Sequence, residues 1–330
     1  MKVAINGFGR IGKQFLLAAI SQKVQWDFII NEPADLNTII YSLKHDSVYG
    51  SPEEPISVKN NHLLIGNKKI RVIHELNPEK LPWKKEAITL VIDCSGRFTD
   101  AKEAKKHISS GAKKVLISAP SKNCNATIIP GVNLNSLKNN DLIVSAGSCT
   151  TNCLAPMIKL INDSLGIKKA LFTTTHAYTS SQHLIDSHDK KDLVRGRAAA
   201  VNIIPTTSGA AISVIEAIPE LKNKLDGFAL RVPVVDGSIS SVFVHVQKKT
   251  SLKEINKIFK DASLKKYKGI IQYSSEPLVS TDIIGNTNSC ILDSSLTKVI
   301  DDFITLSGWY DNELGYAHRL VDIAKHMLKI

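Results

Sequence analysis

An α/β fold built on a doubly wound parallel sheet, followed by a second α+β domain, is what this sequence predicts, and three observations carry that reading. A short apolar strand, Lys2 to Ile5, runs straight into a glycine-rich turn and then a helical stretch, Lys13 to Ile20. Strand and helix patterns then alternate through about residue 145, the cadence of a parallel sheet. Beyond Ser148 the texture changes to long β-rich stretches with only a few helical segments, as in a mixed, largely antiparallel sheet.

The opening turn is Gly7-Phe8-Gly9-Arg10-Ile11-Gly12. A lone glycine pattern of this kind is only a turn. Between a strand and a helix, its glycines have separate tasks: Gly7 makes the tight turn, Gly9 lets backbone N–H groups approach a pyrophosphate, and Gly12 lets the helix pack on its strand. The helix N-terminus faces the phosphates. An acid about 20 residues on, at the end of the second strand, would hold the adenosine ribose hydroxyls. Glu32, ending Asp27-Phe28-Ile29-Ile30-Asn31, stands there. The first domain is therefore expected to be a Rossmann dinucleotide-binding domain.

Further strands are expected at Leu90 to Cys94 and Lys114 to Ser118, with a helix at Ala101 to Ser109 between them. Ligands of such sheets lie beyond the carboxyl ends of the strands, which here carry Asn6-Gly7, Asn31-Glu32, Ser95-Gly96-Arg97 and Ser118-Ala119-Pro120. Strands of the second domain are expected within Lys169 to Thr175, Gly227 to Val235 and Ser238 to Gln247. A long loop, Thr179 to Val201, lacks periodicity and carries Lys190, Lys191, Arg195 and Arg197; loops of that length are usually functional. From Asn312 the tail turns helical, with Ala317, Leu320, Val321, Ala324, Met327 and Leu328 on one face, and is expected to return to the first domain. The expected domains are thus 1–147 with 313–330, and 148–312.

Composition narrows the class. At 330 residues the chain is large enough for two cores, and 43% hydrophobic with 22% charged residues is ordinary for a soluble protein. No apolar stretch approaches the ~20 residues of a transmembrane helix, and the N-terminus reads as a core strand rather than a signal segment, so a cytoplasmic home and no membrane partner are expected. The five cysteines form an odd set without paired zinc ligands, so reduced thiols and no metal are expected. The net charge of +11 is dispersed, without a run of five basic residues; it favours steering of anionic substrates and cofactors, and nucleic acid is not an expected partner.

Chemistry gathers at Ser148-Cys149-Thr150-Thr151-Asn152-Cys153, where Ser148 is an N-cap for a helix through Leu165. Cys149 then lies in the first turn, where exposed N–H groups favour a thiolate and a nearby imidazolium would favour it further. On position alone it is equally a buried structural thiol or a nucleophile. Cys153, one turn later, reads as inert packing. His176 is the candidate base among ten histidines, because it ends a strand, is followed by Tyr178-Thr179 and precedes the basic loop. Asn152 is a candidate oxyanion donor that the sequence does not place.

These motifs, from end to end, resemble the phosphorylating glyceraldehyde-3-phosphate dehydrogenase family: INGFGRIG from Ile5, LKHDSVYG from Leu43, SGRFT from Ser95, SCTTNCLAP from Ser148, HAYT from His176, GRAAAVNIIPT from Gly196, RVPV from Arg231 and WYDNELGY from Trp309. The resemblance implies that Cys149 attacks the aldehyde and that His176 activates the thiol and takes the hydroxyl proton. Hydride passes to the nicotinamide, and inorganic phosphate then cleaves the thioester. It implies that Thr179, Arg195 and Arg231 grip the substrate phosphate while Ser148, Thr150, Ser208 and Gly209 hold the attacking phosphate. Gly7, Phe8, Gly9, Arg10, Ile11, Gly12 and Glu32 would bind NAD, with Arg10 and Ile11 giving backbone donors; Ser118 would line the nicotinamide pocket and Asn312 would bind its carboxamide. The family's homotetramer, in which the loop from Thr179 lies against a neighbour's cofactor, is implied as well.

Several positions depart from the family pattern. Glu32 replaces the usual Asp, and its charge still opposes a 2′-phosphate, whereas Ser187-His188 replaces Leu-Pro and resembles the NADP-using relatives, so NADP stands as a second cofactor. Glu at the ribose position also occurs in erythrose-4-phosphate dehydrogenases, the alternative activity. Ser208 replaces Thr, and Ala146-Gly147 replaces Asn-Ala before the nucleophile.

Overall fold

The computed structural model describes residues 1–189 and 192–330; Lys190 and Lys191, singled out above, lie outside the described residues. The chain divides into two compact units, residues 1–128, 134–147 and 317–330 forming the first and residues 129–133 and 148–316 the second.

The first unit contains β1 (Lys2–Asn6), α1 (Arg10–Ser21), β2 (Asp27–Asn31), α2 (Leu36–Lys44), β3 (Ile56–Lys59), β4 (His62–Ile65), β5 (Lys68–Ile73), β6 (Leu90–Asp93), α3 (Ala101–Ser109), β7 (Lys114–Ile117), β8 (Ala126–Thr127) and β9 (Ile143–Ser145). Its sheet has the order β3-β4-β5-β2-β1-β6-β7-β9-β8. Pairing is parallel from β5 through β8, and only β3 and β4 form an antiparallel edge. The chain winds outward from β1 to β2 and β5, then returns past β1 to β6, β7 and β9. The switch point therefore lies between β1 and β6, where a ligand crevice opens in such sheets. The strands read as near-continuous apolar runs because both faces are covered: Val3, Ala4, Ile5, Leu90, Val91 and Ile92 are all fully buried.

The second unit contains α4 (Cys149–Leu165), β10 (Ile167–Ala177), β11 (Ile204–Thr207), α5 (Ala210–Ala217), β12 (Leu225–Val232), β13 (Ser238–Val246), α6 (Leu252–Leu264), β14 (Ile271–Ser274), β15 (Cys290–Asp293), β16 (Lys298–Ile300) and β17 (Phe303–Tyr310). Its sheet runs β11-β12-β10-β13-β17-β15-β14, with β16 also on β17. Only β10/β12 and β14/β15 are parallel, which gives the largely antiparallel sheet that the sequence predicts. One face is apolar and covered: Phe172, Val242, Val244 and Leu306 join Leu154, Met157, Ile158 and Ile161 of α4 in one core. The opposite face presents Leu171, Phe228, Phe243 and Phe303 outward.

The last helix, α7 (Leu314–Lys329), is divided: residues through Tyr316 belong to the second unit and the rest to the first. Its expected apolar face is buried except at half-buried Leu328, and buried Ile323 adds to it. In the first unit it is tied by the Lys114 ammonium to the Met327 carbonyl at 3.0 Å and by Lys325 to Gln22 at 2.5 Å. No helix among the described residues is long and apolar enough to cross a membrane.

Candidate active site

In the first unit, the glycine turn has the steric form expected of it. Gly7 adopts φ +86°, and a Cβ there would lie 2.6 Å from the Ser95 Cα. A Cβ on Gly12 would lie 2.2 Å from the Gly7 carbonyl oxygen, so this packing admits only glycine. At Gly9 a Cβ would meet nothing within 4 Å. That open space stands at the N-cap of α1, a helix start with no side-chain cap hydrogen bond, the kind of place that suits an anion. Glu32 bends back over the turn: one carboxylate oxygen accepts from the Phe8 N–H at 2.6 Å and the other from the Ala34 N–H at 3.3 Å. The Arg10 guanidinium turns to Asp46 at 2.5 Å, and that pairing holds the Asp46 carboxyl at about 2 against the opposing effect of burial. Ser118 N–H donates to the Asp93 carbonyl at 3.0 Å.

Beneath these tips runs a buried polar chain that the sequence reading missed. Asn31 donates to Asn6 Oδ1 at 2.8 Å, and Asn6 donates to Asp93 Oδ2 at 2.8 Å. From the other side, the Trp83 indole donates to His107 Nδ1 at 3.1 Å, leaving Nε2 to donate to Asp93 Oδ2 at 3.1 Å. Asp93 Oδ1 takes the Ser95 N–H and hydroxyl at 3.1 and 2.8 Å. The chain joins the carboxyl ends of β1, β2 and β6. Its only signal in the sequence is a polar residue closing each of three apolar strands.

In the second unit, α4 begins as expected. Ser148 is its N-cap, and a reciprocal capping box links the Ser148 hydroxyl to the Thr151 N–H at 3.0 Å and the Thr151 hydroxyl to the Ser148 N–H at 3.2 Å. Gly147 precedes it at φ +63°. Cys149 Sγ lies 3.3 Å from His176 Nε2. Strand register then supplies a third member: His176 on β10 is the Cα partner of Arg231 on the parallel strand β12. Arg231 Nη1 lies 2.6 Å from His176 Nδ1 and 3.1 Å from the Ala177 carbonyl, which is itself 2.7 Å from Nδ1. Tyr310 on β17 packs edge-on against the imidazole, with ring centroids 5.9 Å apart.

Burial works against the charges of the expected thiolate–imidazolium pair. Burial, with Arg231 adding its repulsion, pushes the His176 pKa down to about 3. Burial raises the Cys149 thiol to about 11, with Arg231 and the Thr150 amide pulling against it. Burial thus opposes the charged form of both groups, and the cation already beside the ring is Arg231. Cys153 is fully buried and points its thiol at the Gly308 carbonyl at 3.5 Å, in keeping with a packing role.

The other candidates have local partners. Thr150 Oγ1 is 2.9 Å from the Tyr310 hydroxyl, which is 2.9 Å from Thr174 Oγ1, itself 2.6 Å from Ser240 Oγ. Arg195 sends Nε and Nη2 to Thr206 Oγ1 at 2.8 and 2.6 Å and pairs with Asp192 at 3.1 Å. It still acts on Arg231: burial lowers the Arg231 pKa and the Arg195 charge pushes the same way. Two guanidiniums this close, one with a buried Nε that has no partner among the described residues, form a cationic niche. Thr179 donates to Gln182 Oε1 at 3.1 Å, and Ser208 Oγ accepts from Ala210 N–H at 3.2 Å just after Gly209, the uncapped start of α5. Asn312 is held by the Ser238 hydroxyl, which donates to its Oδ1 at 2.7 Å and accepts from Ala177 N–H at 3.1 Å. The side chains brought together directly are thus Cys149, His176, Arg231 and Tyr310. The sequence reading placed Arg231 on substrate only and missed Tyr310; strand pairing is the signal that would have found both. No group of three or more acidic, histidine or cysteine side chains suited to a metal occurs among the described residues.

Comparison with known proteins agrees with this geometry in both units. Residues 1–101 match the glyceraldehyde 3-phosphate dehydrogenase NAD binding domain, and residues 148–312 match the C-terminal domain of the same enzyme. A glyceraldehyde-3-phosphate dehydrogenase of Geobacillus stearothermophilus is 44% identical, covering 99% of this chain and 98% of its own. Glyceraldehyde-3-phosphate dehydrogenase 2 of Trichormus variabilis is 45% identical over 98% of each chain. The Mycobacterium leprae glyceraldehyde-3-phosphate dehydrogenase is 44% identical over 98% of this chain and 97% of its own. Matched along nearly its whole length, with a glycine turn in one unit and a cysteine–histidine contact in the other, the chain belongs to the glyceraldehyde-3-phosphate dehydrogenase family.

Proposed function

We propose that this protein oxidises glyceraldehyde 3-phosphate with NAD and inorganic phosphate, giving 1,3-bisphosphoglycerate. The observation that carries the reading is the 3.3 Å contact between Cys149 Sγ, at the first residue of α4, and His176 Nε2. The contact lets His176 take up the thiol proton. The thiol proton passes through Nε2 to the aldehyde oxygen as sulfur bonds to the carbonyl carbon, leaving a thiohemiacetal on Cys149. His176 then withdraws the hydroxyl proton. NAD, when bound, would supply the hydride acceptor for oxidation at this carbon to the thioester level. Attack by phosphate breaks the carbon–sulfur bond, and His176 returns its proton to sulfur. The Arg231 and Arg195 pair supports binding of the substrate's phosphate, while the uncapped α5 start at Ser208-Gly209 and the Ser148-Thr150 segment support binding of the attacking one.

The uncapped α1 start and the open space at Gly9 suit a pyrophosphate, with Gly7, Phe8, Gly9, Arg10, Ile11, Gly12, Glu32 and Ser118 holding NAD and Asn312 its carboxamide. The Glu32 carboxylate favours NAD over NADP, since a 2′-phosphate would face its charge. Assembly as a homotetramer is supported by the outward Leu171, Phe228, Phe243 and Phe303 on the second sheet. A cytoplasmic setting is supported by five free cysteines. The test is the initial rate of nicotinamide reduction with glyceraldehyde 3-phosphate and phosphate, comparing NAD with NADP. We expect turnover with NAD at the higher kcat/KM. A rate with erythrose 4-phosphate alone, or with neither aldehyde, would overturn the reading.

A further inference from the structure

Asn312 is gripped by backbone and side chain at once, from the segment that leads into β13. Its N–H donates to Asp236 Oδ1 at 3.2 Å, and its Oδ1 accepts from the Ser238 hydroxyl at 2.7 Å. All three residues are buried, Ser238 completely. Between the two gripping residues, Gly237 adopts φ +85°, and a Cβ there would lie 2.2 Å from the Ser280 carbonyl oxygen, so the segment is seated by close backbone packing. Counting hydrogens then decides which end of the Asn312 amide faces inward. The Ala177 N–H can only donate, and it takes a lone pair of Ser238 Oγ at 3.1 Å. The hydroxyl keeps its one hydrogen, which needs an acceptor, and Asn312 Oδ1 is that acceptor. Turned end for end, the amide would bring Nδ2 to the hydroxyl and leave a fully buried O–H without an acceptor, a costly arrangement.

We propose that Ser238 is a positioning residue for the nicotinamide: by holding Oδ1 of Asn312 inward, it turns Nδ2 outward as a donor, so that the site reads the carbonyl oxygen of the carboxamide and not its NH2. The Asn312 side chain makes no second hydrogen bond among the described residues, so Nδ2 is left for a ligand. The same hydroxyl reaches Ala177, the residue after His176 at the end of β10. The donor for the cofactor and the strand that carries the base therefore hang from one buried hydroxyl, and its loss loosens the first without touching the second's contact to Cys149.

This inference rests on the assignment of Asn312 to the carboxamide of NAD, and its readout is equilibrium binding without substrate, so its failure and that of the dehydrogenase reading are separable. The experiment is calorimetric titration of the unaltered protein and of Ser238→Ala with three ligands. They are NAD, 3-acetylpyridine adenine dinucleotide, which keeps the carbonyl but lacks the NH2, and ADP-ribose, which lacks the ring. The unaltered protein is expected to bind the acetylpyridine analogue within about tenfold of NAD, since only the carbonyl is read. In Ser238→Ala the amide is released to turn; the NAD carboxamide has an NH2 to offer Oδ1 and the analogue has none. The analogue should then lose about tenfold relative to NAD, with ADP-ribose affinity unchanged. A larger gap between the two dinucleotides in the unaltered protein overturns the proposal. So does a Ser238→Ala protein that keeps their ratio, whether all three ligands weaken together or none does. ADP-ribose binding the unaltered protein as tightly as NAD would also overturn it while leaving the dehydrogenase reading in place, and failure of both to bind would overturn that reading too. If Ser238→Ala does not fold, the comparison of dinucleotides in the unaltered protein decides by itself.

Discussion

The glycine turn of the first unit and the cysteine site of the second are built in opposite ways. The turn is shaped chiefly within Gly7 to Gly12, with Glu32 one strand later and Ser95 packed against Gly7, and its geometry is steric: one positive φ, two impossible Cβ positions and one open space. The cysteine site draws on α4, β10, β12 and β17, and its members meet only because strand register sets His176 opposite Arg231 and brings Tyr310 to the ring. The difference teaches that a local motif specifies where a ligand's backbone contacts fall. Protonation, in contrast, is decided by groups arriving from distant sequence. The burial that opposes charge on Cys149 and His176 follows from that second kind of construction.

The strongest break of the comparison is at the long-range site. His176→Asn removes the base while leaving α4 and the glycine turn in place. Its kcat is expected to fall by about 10²–10⁴ with little change in NAD affinity, measured by steady-state rates and cofactor titration. A comparable loss of NAD affinity would show that the two sites are not independently built.

Next in size is an effect of acid. The folded His176 pKa, about 3, lies below its ordinary 6.5, so the folded state binds fewer protons than the unfolded chain between those values. This contribution is complete above pH 6.5 and is lost as pH falls toward 3, on the order of 5 kcal/mol in all. Urea unfolding from pH 7 to pH 4 should show it, and His176→Asn should flatten that part of the profile. The lowered carboxyls of Asp46 and Asp302, near 2, act in a separate window below 3.8.

Gly12→Ala tests the local site. Its Cβ would meet the Gly7 carbonyl oxygen at 2.2 Å, so the turn must open. A stability loss of about 1–3 kcal/mol and a raised KM for NAD are expected, with the alkylation rate of Cys149 unchanged. The smallest effect belongs to Ser148→Ala. Loss of the capping box should lower thermal stability by about 1 kcal/mol while His176 keeps its pKa, as read by NMR titration.

Legibility in the sequence followed the same division. The Ala101 to Ser109 helix, the Ser148 cap and the turn glycines could be read because each rule that governs them spans a few residues. The proximity of Cys149 and His176 was reached through motif resemblance, since no spacing rule brings residue 149 to residue 176. The Arg231 contact to the ring, the Thr150–Tyr310–Thr174–Ser240 hydroxyl chain and the Trp83–His107–Asp93 chain were not legible at all. Each depends on strand register and helix docking that sequence periodicity leaves undetermined. The largest influence on both pKa values, burial, is likewise invisible to sequence neighbours.

The polar chain beneath the first sheet also bears on the order in which that unit can be made. Its hydrogens converge on Asp93 from Asn6 and His107, each backed by a further donor in Asn31 and Trp83. A buried carboxylate lacking those donors is costly to enclose, so β6 cannot settle ahead of its partners. Asp93 thereby ties the tips of β1 and β2 to α3, so residues as far apart in sequence as Asn6 and His107 share one hydrogen-bonded cluster and each depends on the others being in place.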